Sequence, residues 1–271
     1  MQRIAICAPA TPLSREYAEQ VTALASAEFP SLELVFHPQC YAQDGHFAGA
    51  DAVRAAALLE CANDPSFDAV WFAKGGYGSN RIIDSFVEGA KPPAHEKTYL
   101  GYSDCGFLLG SFHRLGVGKA VHGPMPVDIG RDGGEAAVRR SLRWFTGDKS
   151  GLEQSLDDRP TLAFNLTTLV ALLGHTHCPD FYQHVIIIEE VAEYLYALDR
   201  MMFAVTHDLH HCAGIRLGEV TAIPENDRPF GASAEEIVED WCTRRGIPYL
   251  GRAQIGHTAD NHIVPFTSLS D

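Results

Sequence analysis

Short apolar runs alternate with amphipathic stretches through the first half of the chain. The runs predict strands at residues 3–8, 32–37, 68–73, 98–102 and 120–122. Between them, apolar residues at spacings of three and four predict helices at residues 14–29, 51–63 and 135–145, one from about residue 79 and one from residue 103 or 104. Strands that alternate with helices in this way favour a mostly parallel sheet with helices on both faces.

Two of these helices carry more detailed expectations. Ser14 precedes the first apolar position of its helix and is expected to be the N-cap. In the helix at 51–63, Val53, Ala57 and Cys61 are expected to share the buried face.

A polar stretch at residues 147–160, GDKSGLEQSLDDRP, is the best linker in the chain. Beyond it the pattern predicts helices at 166–173, 194–211 and 234–245, strands at 184–190 and 216–223, and a tail at 249–266 of loop and short strand. We therefore expect an N-terminal α/β domain at residues 1–150 and a second domain at residues 151–271.

Composition excludes several classes of function. The 271 residues include 46% hydrophobic and 21% charged residues, which is ordinary for a globular protein, and the net charge is −14. An acidic chain is not expected to bind nucleic acid or an anionic membrane, because a protein surface that binds either polyanion needs a surplus of Lys and Arg. Seven cysteines without regular spacing, no signal peptide and no apolar run of about 20 residues predict a cytoplasmic protein with reduced thiols.

The loop after the fourth predicted strand is the most informative candidate site. In Gly101-Tyr102-Ser103-Asp104 the serine lies where a strand turns into a helix, so its hydroxyl can face the unpaired N–H groups of the helix N-terminus. This is the logic of a nucleophile elbow, although Cys105 breaks the full G-x-S-x-G pattern. On local sequence alone, an ordinary N-cap serine is the favoured explanation of the segment.

Other strand ends carry weaker signals. Lys74-Gly75-Gly76-Tyr77-Gly78 matches neither nucleotide-binding glycine motif, so it is either a tight turn or a place of close backbone approach. Glu189 and Glu190 end an apolar strand, with Glu193 after them; they are a solvated strand end or contribute one carboxylate to a site. His257 alone is a loop histidine.

Histidines cluster at 175–178 and 207–212, which raises the possibility of zinc. Neither spacing matches the usual zinc patterns, and histidines near a helix C-terminus are favoured electrostatically without any metal. We expect no metal and no cofactor.

Taken together, the segments resemble the serine LD-carboxypeptidases, a family that includes the microcin-C immunity peptidases. The resemblance runs in order along nearly the full length. It rests on Ala8-Pro9, residues 73–78 (AKGGYG), 101–104 (GYSD), 122–125 (HGPM), 165–167 (NLT), 189–193 (EEVAE), Asp199-Arg200 and Gly256-His257.

The resemblance implies specific roles. Ser103 is the expected nucleophile, His257 the base and Glu189 the partner of the histidine. The backbone N–H groups of Gly76 and Asp104 are the expected oxyanion donors. Further expected substrate contacts are Lys74, Gly75 and Tyr77. Lys74 stands where arginine is common in the family, Glu190 replaces the usual aspartate, and the pair at 105–106 and the triplet at 163–165 also differ.

The resemblance also implies a fold, a partner and a substrate. The first domain should be flavodoxin-like, as in class I amidotransferases, and the smaller second domain rich in β-structure; the protein should form a homodimer. The implied substrate is a small peptide, a muropeptide tetrapeptide from which terminal D-alanine is released during peptidoglycan recycling. Hydrolysis of peptidyl- or aminoacyl-nucleotide amides is the alternative within the family, and a catalytically silent peptide-binding module is the alternative outside it.

Overall fold

The computed structural model describes residues 1–268. Ten strands and eight α-helices follow one another along this part of the chain. The strands are β1 Gln2–Cys7, β2 Leu32–Phe36, β3 Ala69–Phe72, β4 Thr98–Gly101, β5 Lys119–His122, β6 Thr161–Asn165, β7 Val185–Val191, β8 Gly214–Thr221, β9 Tyr249–Arg252 and β10 Val264–Pro265. The helices are α1 Arg15–Glu28, α2 Asp51–Asn63, α3 Ile83–Gly89, α4 Gly106–Leu115, α5 Gly134–Phe145, α6 Leu166–Leu172, α7 Leu195–Asp208 and α8 Ala234–Arg245.

The first sheet has six strands in the order β10-β5-β4-β3-β1-β2. All neighbouring pairs are parallel except β10 and β5, which are antiparallel. The carboxyl ends of β3, β4 and β5 therefore lie along one edge of the sheet. The candidate segments that follow these strands in the sequence are consequently neighbours in space.

The second sheet contains β6-β7-β8-β9 in that order, and all of its strands are parallel. Helices α6, α7 and α8 connect or follow these strands. The C-terminal region is thus α/β rather than largely β, because parallel neighbours need crossover connections and the crossovers here are helical. Glu189 lies near the carboxyl end of β7, opposite Asn165 at the end of β6.

Both faces of the first sheet are buried, which explains why its strands read as continuous apolar runs. In β3, Trp71 packs into one hydrophobic core and Phe72 into the other. The core on the Phe72 side continues into the second sheet, where it includes Phe164. Gly110 of α4 allows this close packing, because a Cβ there would lie 2.9 Å from Leu172 and 3.1 Å from Phe164.

Most predicted elements are confirmed within one to three residues, and α2 and α8 match in both bounds. Ser14 is the N-cap of α1 and accepts a hydrogen bond from the Tyr17 N–H. The predicted buried face of α2 is wrong in one position: Val53 is 47% exposed, whereas its neighbour Arg54 is fully buried. Strand β6 was not predicted, because it runs into α6 without a turn between them.

The division at residue 150 stays a prediction, and the last three residues of the expected second domain lie outside the described range. Strand β10 follows the second sheet in the chain but pairs with β5 of the first. No helix within residues 1–268 combines the length and the apolar character needed to cross a membrane.

Candidate active site

Ser103 lies at a sharp turn between β4 and α4. Its φ is +59°, in the left-handed region that a serine adopts only at a cost of about 1–3 kcal/mol. Tyr102, not Ser103, is the N-cap of the short helical turn that starts here, and Ser103 makes no capping bond. The N-cap alternative is therefore wrong, and the strained turn presents the hydroxyl outward.

Three side chains from distant parts of the chain form a hydrogen-bonded series. Ser103 Oγ lies 3.0 Å from His257 Nε2, and His257 Nδ1 lies 2.8 Å from Glu189 Oε2. Glu189 is 1% exposed, and among residues 1–268 its second oxygen has no hydrogen-bond partner. A buried carboxylate whose bond goes to an imidazole fixes the tautomer of that ring and stabilises its protonated form.

The neighbouring carboxylate, Glu190, points elsewhere. Its side chain accepts hydrogen bonds from the backbone N–H groups of Thr167 and Val191, and from the Asn165 side-chain amide at 2.7 Å. The pairing of β7 with β8 is irregular between Ile188 and Glu190, and the hydrogen bonds of the two carboxylates lead to different partners. The structure brings Glu189, and not Glu190, to the histidine.

The glycine loop after β3 lies directly against Ser103. A Cβ on Gly75 would lie 3.2 Å from Ser103 Cβ and 3.4 Å from the Asp104 backbone nitrogen. Gly76 has φ +105° and is exposed, and within residues 1–268 its N–H donates to no protein acceptor. Of the two sequence-based alternatives for this loop, close backbone approach is the one that the structure shows.

Asp104 contributes a buried carboxylate that the sequence did not single out. The side chain accepts hydrogen bonds from the N–H groups of Gly78 at 3.2 Å and Ser79 at 2.9 Å. Burial raises the pKa of this carboxyl, while those hydrogen bonds act in the opposite direction. The glycine loop is thus attached to the turn that carries Ser103.

The loop that carries His257 is held by residues of the first sheet and its connections. Arg131 donates to the His257 carbonyl at 2.8 Å. Asn261 accepts from the Gly256 N–H at 3.2 Å, and its side-chain oxygen lies 2.9 Å from His122 Nε2. Burial lowers the pKa of His122 to about 4, so this histidine is neutral at physiological pH. Sequence reasoning gave no role to Arg131, His122 or Asn261, and His122 appeared only within the segment 122–125 that carries the resemblance.

The remaining candidates lie beside these residues or away from them. Lys74 is half-buried at the start of the glycine loop, and Tyr77 is 47% exposed, with its ring 6.1 Å from that of Phe47. His177 pairs with Asp84 at 3.1 Å. In the part of the chain that the structure describes, no group of three or more His, Cys, Asp or Glu residues is arranged to hold a metal ion.

Two family models match this chain in succession. Residues 4–123 match the LD-carboxypeptidase N-terminal domain, and residues 160–269 match the LD-carboxypeptidase C-terminal domain. The chain belongs to the LD-carboxypeptidase family. It is therefore a peptidase, and the resemblance drawn from the motifs is confirmed.

Individual relatives agree with this assignment. A murein tetrapeptide carboxypeptidase of Pseudomonas aeruginosa is 26% identical over 290 residues, which cover 97% of this chain and 91% of the relative. The muramoyltetrapeptide carboxypeptidase of Oxalobacter formigenes has the same fold, with a TM-score of 0.81 at 21% identity over 97% of this chain and 93% of that one. The same fold is found in the microcin C7 self-immunity protein, solved with glutamyl sulfamoyl guanosine. Its TM-score is 0.77 at 16% identity, over 98% of this chain and 91% of that one.

Proposed function

We propose that this protein is a serine LD-carboxypeptidase that releases terminal D-alanine from muropeptide tetrapeptides. One observation carries the proposal: the hydrogen-bonded series from Ser103 through His257 to Glu189, with distances of 3.0 and 2.8 Å. This is the arrangement that activates a serine hydroxyl, because the base is within reach of the proton and is itself oriented by a buried acid.

The reaction follows in two steps. His257 accepts the Ser103 proton as Oγ attacks the carbonyl carbon of the scissile LD bond. The same proton passes from His257 to the amine of the leaving D-alanine, and the acyl group stays on Ser103. A water molecule, deprotonated by His257, then hydrolyses this ester and restores the serine. Glu189 stabilises the imidazolium in both steps.

The tetrahedral oxyanion requires donors that are not already engaged. We assign this role to the backbone N–H groups of Gly76 and Asp104, which flank Ser103 on two different segments. The exposure of Gly76 supports the assignment, as does the Asp104 backbone N–H, which donates to no protein acceptor within residues 1–268. Gly75, Tyr77 and Lys74 are the proposed substrate contacts on the same side.

The proposal extends to the architecture and setting of the protein. The order β2-β1-β3-β4-β5 within the first sheet supports a flavodoxin-like, amidotransferase-like first domain. We place its boundary near residue 150. A muropeptide-recycling role accords with the cytoplasmic location that the irregularly spaced cysteines predict. The homodimeric state is proposed from the family resemblance alone.

The decisive assay measures free D-alanine released from muramoyl tetrapeptide by the purified protein. We expect turnover by the wild type and a loss of several orders of magnitude in Ser103→Ala, with an unchanged circular dichroism spectrum. Near-wild-type turnover in the folded variant would contradict the nucleophile assignment.

The same preparation should be tested on an aminoacyl sulfamoyl adenosine. Preferential hydrolysis of that compound would place the protein in the immunity branch. Failure of an organophosphonate to label Ser103 would favour a silent binding module instead.

A further inference from the structure

Hydrogen bonds of Asp104 with Gly78 and Ser79 join the glycine loop to the nucleophile turn. Asp104 Oδ1 accepts from the Gly78 N–H at 3.2 Å, and Oδ2 accepts from the Ser79 N–H at 2.9 Å. The Ser79 hydroxyl donates in return to the Asp104 carbonyl at 2.6 Å. These bonds hold a segment with three glycines, which is intrinsically flexible, against the turn that carries Ser103.

The Asp104 carboxylate is well suited to such a contact. It is 5% exposed, and a carboxylate buried to this extent persists only with hydrogen-bond donors around it. Hydrogen bonds to a charged acceptor in a dry environment are shorter and stronger than those in water. The position of the loop is therefore fixed more tightly than neutral contacts would fix it.

A second buried charge, the Arg54 guanidinium, binds the carbonyl group of Gly78. Arg54 is fully buried and donates to the Gly78 carbonyl at 2.7 Å, to the Gly49 carbonyl at 3.1 Å and to the Pro9 carbonyl. Gly78 has φ +129°, and a Cβ there would lie 2.8 Å from the Phe47 ring. The N–H of Gly78 is thus held by an anion and its carbonyl by a cation.

We propose that the Asp104 side chain is a positioning residue that sets the spacing of the two oxyanion donors. The inference rests on the proposed function. One donor is the backbone N–H of Asp104 itself, and the other is the N–H of Gly76 on the loop that its carboxylate holds. Oxyanion stabilisation requires both donors within about 2.7–3.1 Å of one oxygen, so a small shift of the loop removes one of them.

The test is Asp104→Asn in the full chain. Asparagine keeps the shape, but its Nδ2 faces one of the two N–H donors, so one bond is replaced by a repulsive contact. We expect kcat per titrated active site to fall about 100-fold, the usual effect of losing one oxyanion donor. KM should change less than about threefold, because the ground state does not use the hole. The rate at which a phosphonate labels Ser103 should fall in parallel, since its adduct places an anionic oxygen there.

Glu190→Gln is the matched control. Glu190 is 2% exposed and also accepts from two backbone N–H groups, those of Thr167 and Val191, but it has no bond to the glycine loop. We expect both variants to lose thermal stability, and Glu190→Gln to keep kcat within about tenfold of the wild type. Equal losses of kcat in the two variants would overturn the inference.

If Asp104→Asn does not fold, Asp104→Ser decides the question, because serine removes the carboxylate bonds to the Gly78 and Ser79 N–H groups without placing an amide against an N–H. A severalfold loss of kcat at unchanged KM supports the inference, and no loss overturns it. Ser103→Ala separates this inference from the proposed function. Activity in Ser103→Ala would refute both, whereas an inactive Ser103→Ala with no effect of the Asp104 variants would refute the inference alone.

Discussion

The two halves of the candidate site are built in different ways. The serine half lies within one sheet: Ser103 follows β4, and the glycine loop against it follows the adjacent strand β3. The histidine half is assembled from separate parts of the chain, with Glu189 on β7 and His257 on the loop between β9 and β10. The Ser103–His257 hydrogen bond joins residues 154 positions apart.

The difference shows where each half obtains its precision. The serine half stores strain in the φ of Ser103 and balances it with buried charges at Asp104 and Arg54. In the histidine half Glu189 lies in a strand, whereas His257 lies in a loop that takes its position from Arg131 and from His122 through Asn261. The placement of the base therefore depends on residues of the first sheet and its connections.

The largest effect expected in the histidine half comes from its buried acid. Glu189→Gln keeps the shape but removes the charge that stabilises the imidazolium, so we expect kcat to fall about 100-fold or more, about 3 kcal/mol of transition-state stabilisation. Steady-state kinetics of Glu189→Gln and Glu190→Gln, measured side by side, check this. For Glu190→Gln we expect kcat to fall less than about tenfold. A larger loss for Glu190→Gln would mean that the strand register assigned to these roles is one residue wrong.

A smaller effect should follow from loosening the loop of the base. Arg131 contacts the His257 carbonyl, Asp128 at 2.7 Å and the Tyr102 hydroxyl at 3.2 Å, and lysine cannot reproduce this three-way contact. We expect Arg131→Lys to lower kcat about tenfold with little change in KM, because a misplaced base slows proton transfer. Steady-state kinetics of D-alanine release, which give kcat and KM separately, measure both effects.

Arg139→Lys is the control, because Arg139 forms a partly exposed pair with Glu28 on the surface. It should leave kcat unchanged. Equal kcat values for Arg131→Lys and Arg139→Lys would show that Arg131 does not position His257.

Removal of metal ions should have no effect on either half. The proposed chemistry uses Ser103, His257 and backbone N–H groups, none of which needs a cation. We expect full activity after dialysis against EDTA, with metal content followed by atomic absorption. Stoichiometric zinc whose removal abolishes turnover would contradict the proposed mechanism and direct attention to the histidines at 175–177 and 207–211.

The sequence predicted the fold well where the pattern was local. Helices such as α2 and α8 begin and end where the apolar periodicity does. Strand β6 escaped notice because its apolar run continues into α6, whereas the short strands expected in the tail at 249–266 are present as β9 and β10. The error at Val53 has a physical cause: Arg54 looks like a surface charge, but three backbone carbonyls and Asp51 satisfy it in the interior.

For the site, motifs and family resemblance named Ser103, Glu189 and His257, which the structure brings together. The residues that hold them in place were not predictable in the same way. Arg131 and His257 are 126 positions apart, and His122 and Asn261 are 139 apart, so no local pattern records either contact. The role of the Asp104 carboxylate was hidden because an acid after the serine is ordinary helix chemistry.

Strand β10 has a consequence for synthesis on the ribosome. It is made after every other element described, and it pairs with β5 at His122, beside the residues that support the His257 loop. Ser103 can be in its strained turn long before His257 has emerged from the exit tunnel. Domains fold as units in order of synthesis. A nascent chain would therefore carry an inert serine, and hydrolytic competence would arise only when the last strand closes onto the sheet that was made first.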